Sequence, residues 1–236
     1  MGFSLQFASV FAQGDLILQG ILLTIGLSAG AITLGTILAI GLVAAHNLGN
    51  RAVAFAVDAY VELLRNTPFL IQLFMIFFGL PLLGFRMSGF EAGLLAMTLN
   101  LSAYATEIIR AGVDATHRSQ VEAGLSLALS RLQVFRYVVL QPAFAKVWPA
   151  LSSQFVLMLL ASSICSFISV SELSGSAALI EQRTFRSFET YIVVTIAYLC
   201  LALLLKLGLA VLGQRLFGRR VRPEPITTIT NSAGGA

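Results

Sequence analysis

Charge is what this sequence has least of. Asp, Glu, Lys and Arg make up 11% of its 236 residues, against 57% hydrophobic ones, far from the balance of a water-soluble domain. Cysteine is nearly absent. Cys165 and Cys200 both lie in apolar runs, offer no disulfide framework and no metal-ligand spacing, and are expected to be small buried hydrophobes. No Gly-x-x-x-x-Gly-Lys-Ser/Thr phosphate loop occurs, so ATP has no site of that kind here. His-x-x-x-His, paired-cysteine and serine-nucleophile motifs are missing too, which argues against catalysis and against a resident metal or cofactor. The two histidines, His46 and His117, sit at polar edges and read as surface residues. The net charge of +4 is not gathered into a basic patch with aromatics, so nucleic acid is not indicated as a partner. Met1 to Gly14 lacks the basic start of a signal peptide, and the first apolar run is read as a retained span.

What is present is a series of apolar runs, each able to supply the roughly 20 residues of a membrane helix. Leu16 to Ala45 has no charge and contains a Gly26-x-x-x-Gly30 pair, with Gly35 and Gly41 further on; small residues of this kind let helices pack closely. After the polar break His46 to Arg51 comes Ala52 to Leu83. Asp58, Glu62 and Arg65 share one helix face there, either pairing with one another or meeting a ligand. Pro68 limits that turn, so Asn66 to Leu83 is the membrane part. Glu91 to Ile109 is a third span, with Glu107 and Arg110 at its end, and Val147 to Val170 a fourth, with Gln154 near its start. Ser171 to Glu189 is a polar, partly helical connection, and Thr190 to Leu212 the fifth span. The expected fold is therefore an all-α membrane protein with five transmembrane helices, in contact with lipid. The transmembrane domain covers 1–220, and 221–236, rich in Pro, Thr, Ser and Gly, is a disordered tail.

Five spans place the termini on opposite sides, and the Lys/Arg bias selects which. Counting the C-terminal side as cytoplasmic collects Arg51, Arg110, Arg118, Arg131, Arg136, Lys146, Lys206, Arg215, Arg219, Arg220 and Arg222. The other side keeps Arg86, Arg183 and Arg186. The N-terminus is then expected in the periplasm and the C-terminus in the cytoplasm. Ionisable groups at membrane depth are costly; Glu107 and Arg110 are either interfacial residues reaching water or functional ones.

One cytoplasmic segment stands apart. Ser119 to Pro142 is polar and orderly, too long for a turn. Ser119-x-x-Glu122 and Ser130-x-x-Gln133 both read as capping boxes, which predicts two short helices with a bend near Leu129-Ser130. Leu132, Phe135, Val138 and Val139 recur at helical spacing, and Pro142 is expected to end the second helix. The segment is either an amphipathic loop on the membrane surface or a docking element for a soluble partner.

These residues carry a resemblance. Glu122-Ala123-Gly124, Leu129-Ser130-Arg131, Phe135-Arg136, Val138-Val139-Leu140 and Pro142 resemble the EAA loop of ATP-binding cassette (ABC) importer permeases, and more narrowly the polar amino acid permease family. The family usually has Gly where Ala128 stands, and Leu-Pro where this chain has Leu140-Gln141-Pro142. Leu63-Leu64-Arg65-Asn66-Thr67-Pro68-Phe69-Leu70-Ile71-Gln72-Leu73-Phe74 resembles the family's second-span signature, with Asn66 in place of the usual Gly. Ser102-Ala103-Tyr104-x-x-Glu107-Ile108-Ile109-Arg110 resembles the segment leading to the loop, and Pro149 to Phe155 the start of the fourth span, with Gln154 where a Glu is frequent.

The resemblance implies a type I ABC importer permease architecture, a transport subunit and not an enzyme. It would move polar amino acids by alternating access, driven by separate ATPase subunits that bind the ATP. A second permease subunit, identical or paralogous, and a periplasmic amino-acid-binding protein would complete the assembly. It implies that the coupling loop 119–142 contacts the ATPase through Ser119, Glu122, Ala123, Gly124, Ala128, Ser130, Arg131 and Phe135. It implies that Arg65, Thr67, Pro68, Gln72, Glu107 and Gln154 line the substrate pathway, with Gln154 alternatively an inter-helix hydrogen-bond partner. An ion-driven secondary transporter using Glu107 or Glu62 as proton carrier is the alternative.

Overall fold

The computed structural model describes residues 5–218. Arg219, Arg220, Arg222 and the tail 221–236 lie outside the described residues, so the expectation of a disordered tail is not addressed. Among the described residues the fold is helical with no strand. The helices are α1 (Ala8–Phe11), α2 (Gly14–Leu48), α3 (Arg51–Arg65), α4 (Phe69–Leu83), α5 (Gly89–Asp114), α6 (Arg118–Ser126), α7 (Arg131–Ile168), α8 (Leu173–Thr184) and α9 (Ser187–Phe217). Four of them, α2, α5, α7 and α9, are long and apolar enough to cross a membrane, and α3 with α4 makes a fifth crossing broken by 106°.

The span count expected from the sequence holds, but the helices overrun their apolar runs, because nothing in the flanking polar residues stops a helix until a cap does. Ser88 stops α5 at one end, its hydroxyl accepting from the Glu91 amide while the Glu91 carboxylate accepts from the Ser88 amide. Asn50 caps α3 by accepting from the Val53 amide.

The core is the α2–α5 pair, with α7 against it. Leu27, Ala31, Ala39, Met97, Leu101 and Ile109 are fully buried there. The two helices come close at Gly35, where a Cβ would stand 3.1 Å from both Leu101 and the Thr98 carbonyl. The Gly26–Gly30 pair is not the packing motif: Gly26 faces open space and Gly30 meets only the tip of Leu94. Helix α9 joins through Trp148, whose indole donates to the Leu209 carbonyl at 3.0 Å. Cys165 is buried as expected, whereas Cys200 is exposed on α9, contrary to expectation.

Pro142 does not end a helix. Helix α7 runs through it without a break to Ile168. Proline in a helix removes one N–H and pushes against the carbonyl four residues back. Here Val134–Leu140 is wound in wider π turns, and Pro142 falls in the first turn of regular α-helix that follows, where its N–H is not needed. The part of the polar segment from Arg131 onward and the fourth span are thus one continuous helix.

Candidate functional site

The break between α3 and α4 is written in Asn66-Thr67-Pro68. Pro68 takes an extended conformation (φ −62°, ψ 136°), and it cannot donate to the Leu64 carbonyl, which would otherwise be its helical partner. Gln72 replaces the missing donor. Its side-chain amide lies 2.7 Å from the Leu64 carbonyl, 3.0 Å from the Thr67 carbonyl and 2.8 Å from the Thr67 hydroxyl. Its own oxygen accepts from Asn100 on α5 at 2.9 Å. Gln72 therefore holds the break open and pins it to α5.

Beside this break is a cavity of about 480 Å³. Arg65, Asn66, Thr67 and Pro68 form one wall, Asn100 and Tyr104 of α5 a second, and Gln154, Leu157 and Met158 of α7 a third. Of the residues expected on a substrate pathway, Arg65, Thr67, Pro68 and Gln154 line it. Gln72 is buried behind the wall as its brace. Glu107 stands one turn beyond Tyr104, its carboxylate 3.5 Å from the Arg65 guanidinium. The Arg65 side chain also lies against the Tyr104 ring, 5.7 Å from its centre, a cation–π distance. Its Nε is shielded from solvent and has no partner.

Asp58 and Arg65 of α3 do not pair along their own helix, as their spacing allows, but across to neighbouring helices, while Glu62 stays with the cap residue of its own. Asp58 accepts from Arg110 of α5 at 2.6 Å and lies 3.3 Å from His46 of α2. Arg65 takes Glu107, and Glu62 takes the Asn66 amide at 2.6 Å. The physical reason is the crossing of α3 over α5, which puts the opposite charge nearer than the next turn does. His46 thereby stands beside the Asp58–Arg110 pair, not free at the surface.

At the far end of α5 the segment 119–142 forms α6 and the start of α7, bent as expected between them. Its first capping box does not form. His117 is the cap, its ring nitrogen accepting from the Ser119 amide, and the Glu122 carboxylate turns to Arg118 at 2.9 Å. The second box forms as expected: the Ser130 amide donates to Gln133 at 2.8 Å and the Gln133 amide to Ser130 at 3.3 Å. Ala128 sits in the bend with φ +58°, the left-handed region that costs a non-glycine residue about 1–2 kcal/mol. Ser119, Glu122, Ala123, Ala128, Ser130 and Arg131 are exposed. Gly124 and Phe135 are buried and present nothing outward; a Cβ on Gly124 would stand 3.1 Å from Val134 and 3.4 Å from Val138, so Gly124 seats α6 closely on α7. Leu125, Leu127 and Leu132 are exposed on the same projection.

Sequence reasoning missed Glu172, which it passed over inside a polar connection. It is fully buried. Its carboxylate caps α8 by accepting from the Gly175 amide at 2.9 Å, and also accepts from Thr24 of α2 at 3.3 Å and from the Tyr198 hydroxyl of α9. The one sequence signal was a Glu three residues before a Gly at a helix start; its partners lie 148 and 26 residues away.

Comparison with known proteins bears on all of this. Residues 31–218 match the model of a family described as binding-protein-dependent transport system inner membrane component. The glutamine transport system permease protein GlnP of Escherichia coli (strain K12) is 32% identical over 213 residues, 89% of this chain and 96% of that protein. The arginine transport system permease protein ArtQ of Bacillus subtilis (strain 168) is 31% identical over 203 residues, 86% of this chain and 93% of that protein. A solved amino acid ABC transporter, crystallised with histidines, superposes with a TM-score of 0.81 at 32% identity, covering 90% of this chain and all of that one.

Proposed function

The chain belongs to the binding-protein-dependent transport system inner membrane component family, and from that premise we propose a concrete working mechanism for it. It is the permease subunit of an ABC importer of the inner membrane, and its cargo is a polar amino acid, the class named for its relatives. It has no ATP site of its own. Its partners are two ATPase subunits, a second permease subunit and a periplasmic amino-acid-binding protein. The termini lie on opposite faces, with α6 and the start of α7 in the cytoplasm, as the arginine bias requires.

One observation carries the reading: α7 is a single helix that bears Arg131 on the docking projection and Gln154 in the cavity wall. Twenty-three residues separate the two, roughly 35 Å of helix. A push on α6 is transferred at Gly124 to Val134 and Val138 of α7, and so reaches the cavity without passing through a loop. Alternating access then consists of ATP-driven closure of the ATPases moving this lever and opening the cavity outward. The exposed leucines of the projection supply apolar contact, and Glu122 and Arg131 the polar contact, with the ATPase.

The test is reconstitution with the co-expressed ATPase. Glu122→Lys, or deletion of residues 119–141, is expected to abolish amino acid uptake and its coupled ATP hydrolysis while membrane insertion persists. Normal uptake by either variant, or uptake abolished by an uncoupler and indifferent to the ATPase, defeats the proposal.

A further inference from the structure

Helix α9 carries a single charge within its apolar run. Between Thr190 and Leu212 the only Asp, Glu, Lys or Arg is Lys206. Its side chain is exposed, and among the described residues no carboxylate lies within ion-pair distance of it. A cation at membrane depth is costly and calls for a counter-charge. Lys206 lines a hollow of about 550 Å³ between α7 and α9. Trp148, Pro149, Ser152 and Val156 form the α7 wall, and Ala210 stands one turn from Lys206 on the α9 wall. The Ser152 hydroxyl has no hydrogen-bond partner within the chain.

Two contacts set the depth of this hollow. Lys146 donates to the Ala115 carbonyl at 3.1 Å, just past the end of α5, which marks the polar edge of the bundle. Two residues further along α7, Trp148 donates to the Leu209 carbonyl, so Leu209 lies about 3 Å of helix rise inside that edge. Lys206 comes three residues before Leu209, about 4.5 Å deeper. That distance is within the span of a lysine's own four-carbon stem, so its ammonium can reach the headgroup level. Tryptophan at this level is the usual interfacial anchor.

We propose that the α7–α9 seam binds one anionic phospholipid, from the leaflet at the Arg215 end of α9: its phosphate pairs with the Lys206 ammonium, its headgroup lies over Pro149 and Ala210, and an acyl chain runs inward along Val156 and Leu157. An anion with an apolar tail matches a lone cation at the mouth of an apolar hollow, and basic pockets between membrane helices select such headgroups. A zwitterionic lipid would bring its own cation against Lys206. Arg215 lies two and a half turns nearer the edge, and Arg219, Arg220 and Arg222 follow in the sequence, which enriches anionic lipid nearby. A second copy of the chain has no free carboxylate to offer at this depth. Asp58 and Glu107 are each held by an arginine, Glu62 by Asn66, and Glu172 by Thr24, Tyr198 and the Gly175 amide. The inference needs only that α7 and α9 cross a membrane, and it stands or falls apart from the transport reading.

Trp148 is the chain's single tryptophan and lines the hollow, so it reports on the occupant. The full chain is reconstituted in nanodiscs of phosphatidylcholine with increasing fractions of phosphatidylglycerol, one lipid or the other carrying brominated acyl chains, and quenching of Trp148 emission measures which lipid sits beside it. Brominated phosphatidylglycerol is expected to quench at several-fold lower mole fraction than brominated phosphatidylcholine. Lys206→Gln is expected to reduce that preference roughly fivefold, the effect of one basic residue at an anionic surface, and Lys206→Arg to keep it. Inorganic phosphate added to pure phosphatidylcholine discs is expected to leave the emission unchanged. Equal quenching by the two lipids in the wild type, or a preference untouched by Lys206→Gln, overturns the proposal. So does protection of Trp148 from both lipids, which would mean that protein covers the seam, and so does a response to inorganic phosphate, which would make it a site for soluble anions.

Discussion

Replacing Gln72 by Glu tests the account of the broken span directly. The two side chains have the same shape; the change replaces the amide NH2 by a carboxylate oxygen, which removes both donors and adds a negative charge. In the wild type those hydrogens serve three oxygens, the Leu64 carbonyl, the Thr67 carbonyl and the Thr67 hydroxyl, at 2.7 to 3.0 Å. After substitution an acceptor faces two carbonyls that cannot donate to it, and the Leu64 carbonyl has no other source because residue 68 is proline. A buried polar group left unpaired costs about 1–3 kcal/mol. Two such carbonyls give an expected loss of about 2–4 kcal/mol. Asn100→Ala is the comparison: it removes the single bond to the Gln72 oxygen and is expected to cost about 1–2 kcal/mol on the same grounds. Equilibrium unfolding of the purified protein in mixed micelles measures both, and uptake in proteoliposomes is expected to fall with Gln72→Glu as the wall of the cavity loosens. A Gln72→Glu protein as stable as the wild type, or no less stable than Asn100→Ala, would refute the idea that the amide replaces the proline's missing donor.

Three further outcomes follow from the same geometry. Ala128→Gly is expected to raise stability by about 1 kcal/mol, since φ +58° suits glycine, with uptake unchanged; differential scanning calorimetry reads the gain. Ser130→Ala removes the cap of α7 and is expected to cost about 1 kcal/mol and to reduce ATPase co-purification, because the bend loses its fixed angle. Ser187 and Tyr191 both donate to the exposed Glu181 carboxylate and hold it below the usual glutamate range. A depressed carboxylate contributes stability above its unfolded-state value and loses it as pH falls through the folded one. Protection against hydrogen exchange in the α8–α9 turn, relative to the intrinsic rate at each pH, is therefore expected to be constant at neutral pH and to fall in acid below the ordinary carboxylate range, and Glu181→Gln is expected to remove that dependence.

Much of the site could be read from the chain in order. The break at Asn66-Thr67-Pro68, the bend near Leu129-Ser130 and the capping box at Ser130 are local: each depends on residues within a turn or two of one another, and proline geometry or a hydroxyl three residues from an amide decides them. Elements that compete with a better local or distant partner were misread. Ser119 gave up its cap because His117 lies nearer the helix start. Pro142 was read as a stop because a sequence does not display π turns, which shift the proline into a tolerated position.

The sequence by itself determined that this chain is a bundle of about five membrane helices carrying one polar projection, because apolar run length and the scarcity of charge leave no other way to satisfy the backbone in lipid. Only the tertiary structure decided which charges meet. Asp58 with Arg110, Arg65 with Glu107, and Glu172 with Thr24 and Tyr198 are pairings between helices. Ion pairs and hydrogen bonds reach a few ångströms, so their partners are chosen by the angle at which α3 crosses α5 and by the packing of α2 on α8 and α9, which no spacing within one helix records.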